Sequence, residues 1–162
     1  MNNLAQRGKV SNVLLPNMLT FYIISGMELH KKVAIHTLSL DNVSPITTPH
    51  GELISELIGR TATEGSVPQH SVAHIVLPPG KSSLLHYHPE AEESYYILSG
   101  QARVLIGEEE VVLTAGTAVL LPSPQPHKIT NIGSEDLAFL AVCVPAWEPD
   151  NSVFLEDRDN VK

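Results

Sequence analysis

The spacing of turn-forming residues constrains this chain more than any other feature of its sequence. The chain has 10 Gly and 12 Pro among its 162 residues, and from residue 33 onward these residues, with Asn and Ser, divide the apolar residues into short runs. Short runs at intervals of about 8–12 residues predict the strands of a β-sandwich or β-barrel, because they leave no room for long helices. The predicted strands are Val33–Leu40, Glu52–Ile58, Ser71–Leu77, Ser83–Tyr87, Glu93–Leu98, Ala102–Ile106, Glu110–Leu113, Ala118–Leu121, His127–Asn131 and Leu137–Val144.

One of these segments also fits a helix. The apolar residues within Glu52–Ile58 satisfy the spacing of a helical face as well as that of a strand. Pro49 and Gly59 leave so little room around the segment that we predict a strand.

Composition narrows the class of protein. Hydrophobic residues make up 43% of the chain and charged residues 17%, which favours one globular domain with a sizeable core over a disordered chain. The net charge of −8 and the lack of a basic cluster argue against nucleic-acid binding. No run approaches the roughly 20 apolar residues of a membrane span. A single cysteine, Cys143, excludes an internal disulfide and suits a cytoplasmic protein.

The two ends of the chain differ from its middle. The most apolar early run, Leu14–Ile24, is interrupted by polar residues and a proline, so it makes a poor secretory signal. Met27 opens a stretch typical of a protein start, and we predict an N-terminal extension at 1–26, whose native status stays open, and a single domain at 27–162. The barrel core is predicted at about 33–147, and the acidic tail at 148–162 as solvated, partly mobile surface.

Two of the histidines, His86 and His88, stand two residues apart. Side chains at this spacing lie on the same face of a strand. Because Pro89 cannot continue a central strand, the chain should turn there, and the turn can bring Glu93 back beside both rings. Two imidazoles and a carboxylate form a plausible divalent transition-metal site, and His127, from a distant strand, could close the set.

These residues belong to two spaced motifs. The first contains Gly80, His86, His88, Glu93 and Gly100, and the second contains Gly116, Pro122, His127 and Asn131. Over about residues 70–145 both resemble, in order and spacing, the two motifs of the cupin superfamily, and the whole chain looks similar to small single-domain microbial cupins labelled mannose-6-phosphate-isomerase-like. The resemblance implies an all-β fold, the double-stranded β-helix or jelly-roll barrel, with a metal held inside by His86, His88, Glu93 and His127. Pro124 stands where the family usually has glycine, so we expect a reshaped loop before His127.

Two adjacent glutamates compete for the carboxylate position. The family tolerates three or four residues after the second histidine, which leaves both Glu92 and Glu93 open. Counting back six residues from Gly100 selects Glu93. Alternation along the strand then places Tyr95 and Ile97 inside the barrel.

Three other residues are weaker candidates for a catalytic role. His74 is either a group supporting the site or, as we prefer, a packed histidine with satisfied hydrogen bonds. Tyr95 either donates a hydrogen bond to a ligand on the metal or belongs to an aromatic core. Arg103 either binds an anion at the barrel mouth or, more simply, lies solvated on the outer face. Cys143 is interpreted as a small buried apolar group.

The predicted site permits several functions. Three imidazoles and one carboxylate suit a divalent Fe, Mn, Ni, Co or Zn ion and leave positions open for a small-molecule substrate. We predict a metal-dependent enzyme of isomerase/lyase or dioxygenase type. The alternative is a non-catalytic, metal-dependent barrel that binds or senses a small ligand. The family resemblance implies a homodimer. Residues 33–40 and 52–58 are candidates for its interface, or could equally extend the sheet within one chain.

Overall fold

The computed structural model describes residues 36–60 and 68–156. Alternating or apolar runs bounded by turn residues form strands over most of these ranges, as their spacing predicts. The strands are β1 (Ile46–Thr47), β2 (Leu53–Ile58), β3 (Ser71–Leu77), β4 (His86–Tyr87), β5 (Glu92–Ser99), β6 (Gln101–Ile106), β7 (Glu109–Thr114), β8 (Ala118–Leu121), β9 (His127–Asn131), β10 (Leu137–Val144) and β11 (Val153–Phe154).

The strands form two antiparallel sheets. One has the order β1-β2-β3-β10-β5-β8 and the other the order β11-β4-β9-β6-β7. Strand β10 lies between β3 and β5, so residues from the two ends of the domain become neighbours in the middle of one sheet. This arrangement confirms the predicted all-β jelly-roll barrel.

The core lies between the two sheets. Leu77, Ile97, Val104, Ile129 and Phe139, one from each of five strands, are buried there together. Their side chains point inward because side chains alternate between the two faces of a strand.

The predicted alternation along β5 is confirmed. Tyr95 and Ile97 are buried, whereas Tyr96 between them is 45% exposed. A glycine at the end of this strand is required by its surroundings. Gly100 has φ +84°, and a Cβ there would lie 2.9 Å from the backbone of Asp136 and Leu137.

Some predicted elements are wrong in their extent. In the predicted strand Val33–Leu40, residues 36–39 have no regular structure and Leu40 begins a short 3-10 helix, while 33–35 lie outside the described residues. Strand β4 is shorter than predicted, and β1 and β11 were not expected. The segment 52–58 is a strand, as predicted.

The predictions for the chain ends have different outcomes. Residues 1–26 lie outside the described residues. The part of the acidic tail that is described does not remain free surface, because β11 pairs with β4. Helix in the described ranges is limited to two three-residue 3-10 turns, so none of it is long enough to cross a membrane.

Candidate metal centre

The four side chains predicted as ligands meet inside the barrel. His86 lies on β4, His88 just after it, Glu93 on β5 and His127 at the start of β9. One potential ligand atom from each lies within 4.8 Å of the others. Pairing of β4 with β9 places His86 opposite His127, with ring centroids 4.5 Å apart. The predicted grouping is therefore present, and the role of its members as metal ligands stays a prediction.

Each imidazole is oriented by a backbone carbonyl. Nδ1 of His86 lies 2.8 Å from the carbonyl oxygen of Leu84, and Nδ1 of His127 lies 2.9 Å from that of Gln125. A carbonyl can only accept, so Nδ1 carries the proton and donates it in each pair. In the neutral ring the other nitrogen, Nε2, is then unprotonated and free to bind a metal.

Buried atoms without hydrogen-bond partners mark the centre of the group. Among the described residues, the buried side-chain atoms that lack such a partner are His88 Nε2, His127 Nε2 and Glu93 Oε2. The two nitrogens lie 3.4 and 3.1 Å from that oxygen. Unpaired polar atoms are rare in protein interiors, and a divalent cation would satisfy all three at once. Imidazole nitrogens with one carboxylate suit Fe, Mn, Co, Ni or Zn, so these residues fit the predicted metal.

The electrostatics of the group favour metal binding at neutral pH. Burial tends to raise the pKa of Glu93, but the imidazoles of His127 and His88 outweigh it and hold that pKa well below its ordinary value. Burial, helped by repulsion from His127, lowers the pKa of His86 to about 4. Glu93 is therefore ionised and His86 neutral, the states that a metal requires.

His88 behaves differently from His86. Burial tends to lower its pKa, but the Glu93 carboxylate, followed by the carbonyl of Asn151, outweighs burial and raises it. A bound metal must therefore displace a proton from this ring at pH values at which an ordinary histidine has already lost it.

The loop before His127 is tied to the loop after His88. The Ser123 hydroxyl lies 3.0 Å from the carbonyl oxygen of His88 and 2.8 Å from that of Pro89. This loop carries Pro124, and its end still places His127 within the ligand group. The substitution of the family glycine by proline is thus compatible with all four predicted positions.

A C-terminal strap, defined here as residues 149–156, covers two of the ligands. The carbonyl oxygen of Asn151 accepts a hydrogen bond from His88 Nδ1 at 2.6 Å. The ring of Phe154 stacks on His86, with centroids 5.7 Å apart and an interplanar angle of 28°. Glu156 accepts from the backbone N–H of Leu85 at 3.0 Å. The strap thus holds the outer side of the centre in place.

Sequence reasoning missed two groups that interact with Glu93, although it predicted the burial of Cys143. The thiol of Cys143 lies 3.3 Å from Glu93 Oε1. Glu52, just before β2, lies close enough for burial and then the charge of Glu93 to raise its pKa to about 6, against a hydrogen bond from Thr48. The alternation of Cys143 with the apolar residues of β10 was a signal for an inward direction, but the register that brings β10 beside Glu93 is not visible in the sequence.

The three weaker candidates have different outcomes. Tyr95 lies in the interior, and burial followed by the charge of Glu93 raises the pKa of its phenol well above the ordinary value. His74 alternates with the core residue Ile75 on β3 and therefore points to the opposite face, away from the ligand group. Arg103 is 50% exposed and lies 3.9 Å from Glu110, so it does not line the barrel. Glu93, rather than the exposed Glu92, belongs to the group.

Known proteins resemble this chain over the same region. A model of the Cupin domain family matches residues 73–143. An uncharacterized protein of Methanocaldococcus jannaschii is 33% identical over 116 residues, which cover 72% of this chain and 91% of that protein. The oxalate-binding protein of Thermotoga maritima is 40% identical over 72 residues, covering 44% of this chain and 60% of that protein.

A solved structure resembles the fold as well. The oxalate decarboxylase of Lactobacillus farciminis, in a formate complex, aligns with a TM-score of 0.62 and 25% identity over 72% of this chain and 34% of its own. This chain therefore spans about a third of that decarboxylase. None of these relatives bears specifically on the mannose-6-phosphate-isomerase-like subtype, which stays a prediction. With its two motifs, its barrel and these relatives, the chain belongs to the cupin superfamily.

Proposed function

We propose that this chain is a metal-dependent enzyme acting on a small molecule that bears oxygen donors. The observation that supports it most directly is the convergence of unpaired buried atoms from His88, His127 and Glu93 beside the Nε2 side of His86. Such a group costs stability when its atoms remain unsatisfied, so a bound divalent ion explains it better than packing does.

The bound metal would act as a Lewis acid that polarises a carbonyl or carboxylate oxygen of the substrate. Within this chemistry, Glu52 supplies a group for moving protons. Its pKa of about 6 leaves both the acid and the carboxylate form populated near neutral pH, which suits a general acid or base. Such a group suits isomerase, lyase or decarboxylase chemistry, in which a proton is added to or removed from the substrate.

The surroundings of the centre also suit catalysis. His88, Glu93 and His127 are buried, whereas His86, stacked against the ring of Phe154, keeps partial exposure. The neutral phenol of Tyr95 is a hydrogen-bond donor held in the interior. An apolar barrel with one polar side would admit a small substrate and exclude most water.

Metal analysis tests the proposal directly. The wild-type chain, loaded separately with Mn(II), Ni(II) and Zn(II), should retain about one ion per chain for at least one metal. Loss of a ligand in His88→Ala should lower the affinity for that metal at least roughly tenfold. His74→Ala is the matched control, because it removes an imidazole from the outer face of the barrel. Equal metal content in wild type and His88→Ala would refute the site.

The comparisons favour a second candidate, a non-catalytic barrel that binds a small carboxylate. The relative from Thermotoga maritima is described as oxalate-binding. Calorimetry with oxalate on the metal-loaded chain, followed by assays for formate and carbon dioxide, separates the two functions. Binding without product would support the binding barrel, and product formation would support the enzyme.

A further inference from the structure

The inner face of β10 ends at a cysteine beside the predicted ligand carboxylate. Cys143 is 3% exposed and pairs in register with Glu93 on β5 and with Ser71 on β3. Its Sγ lies 3.3 Å from Glu93 Oε1, within hydrogen-bond distance for sulfur. The residue therefore does more than fill space in the core.

The direction of this hydrogen bond follows from the chemistry of the two groups. The thiol carries the hydrogen and is a weak donor, and the contact runs from Sγ to Oε1. The oxygens of a carboxylate can only accept. The thiol is consequently the donor and Oε1 the acceptor.

The two oxygens of Glu93 then have different surroundings. Oε1 is bound by the thiol, whereas Oε2 faces His88 Nε2 and His127 Nε2 and has no hydrogen-bond partner. A carboxylate without such a restraint can turn about its last bond and offer both oxygens to one cation.

We propose that Cys143 is a positioning residue that restricts Glu93 to binding the metal through Oε2 alone. The proposal rests on the metal centre proposed above. Its consequence concerns the substrate: on a six-coordinate ion, three imidazoles and one carboxylate oxygen leave two positions open, whereas a bidentate Glu93 would leave one. Two open positions admit a chelating substrate, such as a dicarboxylate or a 2-oxo acid, and a single one does not.

Matched substitutions separate this role from packing. Cys143→Thr and Cys143→Val have nearly the same shape, but only threonine carries a donor for Oε1. Any cost of fitting a β-branched side chain is therefore shared by both variants. Cys143→Ser and Cys143→Ala form a second pair with the same logic and smaller side chains, in case the larger pair does not fold. Val142→Ala, on the outer face of β10, controls for disturbance of the strand.

Cobalt(II) is the probe, because its visible absorption depends on coordination number. With Co(II) bound, the wild type, Val142→Ala and the donor variants (Thr, Ser) should share one spectrum. The variants without a donor (Val, Ala) should show a different spectrum and bind added oxalate about tenfold more weakly, the lower end of the effect of losing a partner of a metal ligand. The unfolding temperatures of the metal-free chains should not separate the variants with a donor from those without one.

Each outcome decides one point. If the Val and Ala variants match their Thr and Ser partners in spectrum and oxalate affinity, the thiol only fills space and the positioning role is refuted. If the wild type binds no cobalt, manganese, nickel or zinc, the metal centre itself is refuted. The proposal would also be overturned if the spectra and oxalate affinities of the variants grouped by side-chain size instead of by the presence of a hydrogen-bond donor.

Discussion

Removal of the C-terminal strap should weaken metal binding without unfolding the barrel. A chain that ends after Glu148 keeps the ion pair between Glu148 and Arg60, at 3.3 Å, and loses the strap. Two contacts to the predicted ligands disappear: the carbonyl of Asn151 on His88 Nδ1 and the ring of Phe154 on His86. His88 is then free to rotate or to adopt the other tautomer, which places the proton on Nε2.

The expected magnitude follows from these contacts. Loss of an outer partner of a metal-binding histidine costs about 10–100-fold in affinity, or about 1.4–2.7 kcal/mol. Global stability should change less, because β11 contributes only two paired residues at the edge of its sheet. The ion pair between Lys128 and Glu156 is partly exposed and contributes about 0–1 kcal/mol. A total loss of about 1–2 kcal/mol lowers the unfolding temperature by about 5 °C.

Competition titrations with a chromophoric chelator measure the affinity, and a graded series isolates the cause. Glu156→Gln breaks the ion pair with Lys128 and should change the affinity less than about threefold. Phe154→Ala removes the stacked ring and should have an intermediate effect. Because the coupling is reciprocal, bound metal should stabilise docking of the strap by the same factor. Hydrogen exchange at the Leu155 amide can measure this, since that amide donates a hydrogen bond to the carbonyl oxygen of Leu85. Wild-type affinity in the truncated chain would refute this reasoning.

The remaining predictions concern charge. Since the pKa of Glu52 rises from 4.5 to about 6, the folded chain binds this proton more tightly than the unfolded chain. The free energy of unfolding therefore falls by about 2 kcal/mol in total as the pH rises from 4.5 to about 6. Urea titrations should therefore find Glu52→Gln more stable than wild type by up to about 2 kcal/mol at pH 7.5 and equally stable at pH 4.5. The variant should also be less active. An equal difference in stability at both pH values would contradict the raised pKa of Glu52. The raised pKa of His88 predicts that metal affinity begins to fall, as pH drops, while the pH is still above 6.5, the ordinary value for histidine. His86, with its pKa near 4, adds a second fall only near pH 4. A pH series of metal titrations checks this, and a loss of affinity that begins only near pH 4 would show that His88 carries no competing proton.

The ligand group could be predicted from sequence because its information is local. His86, His88 and Glu93 lie within eight residues of one another, and the turn at Pro89 brings the carboxylate back to the two rings. The count of six residues back from Gly100 then decided between Glu92 and Glu93 without knowledge of any partner strand. His127 required the second motif, whose spacing placed it at the start of a strand.

The predictions that were wrong depended on pairing between distant segments. Residues 36–40 have the apolar alternation of a strand but belong to neither of the two described sheets, and alternation alone does not make a strand. The role of His74 was left open for the same reason: it shares its alternating pattern with Val72 and Val76, and the sequence could not show which face of β3 meets the core.

The groups that support the ligands are harder to predict than the ligands themselves. The thiol of Cys143 is 50 residues from Glu93, and the carbonyl of Asn151 is 63 residues from His88. A carbonyl carries no residue identity, so no motif can record the second contact. Both contacts exist because β10 pairs with β5 and β11 pairs with β4. Changes in the register of these strands should therefore alter metal binding while leaving all four ligand residues in place.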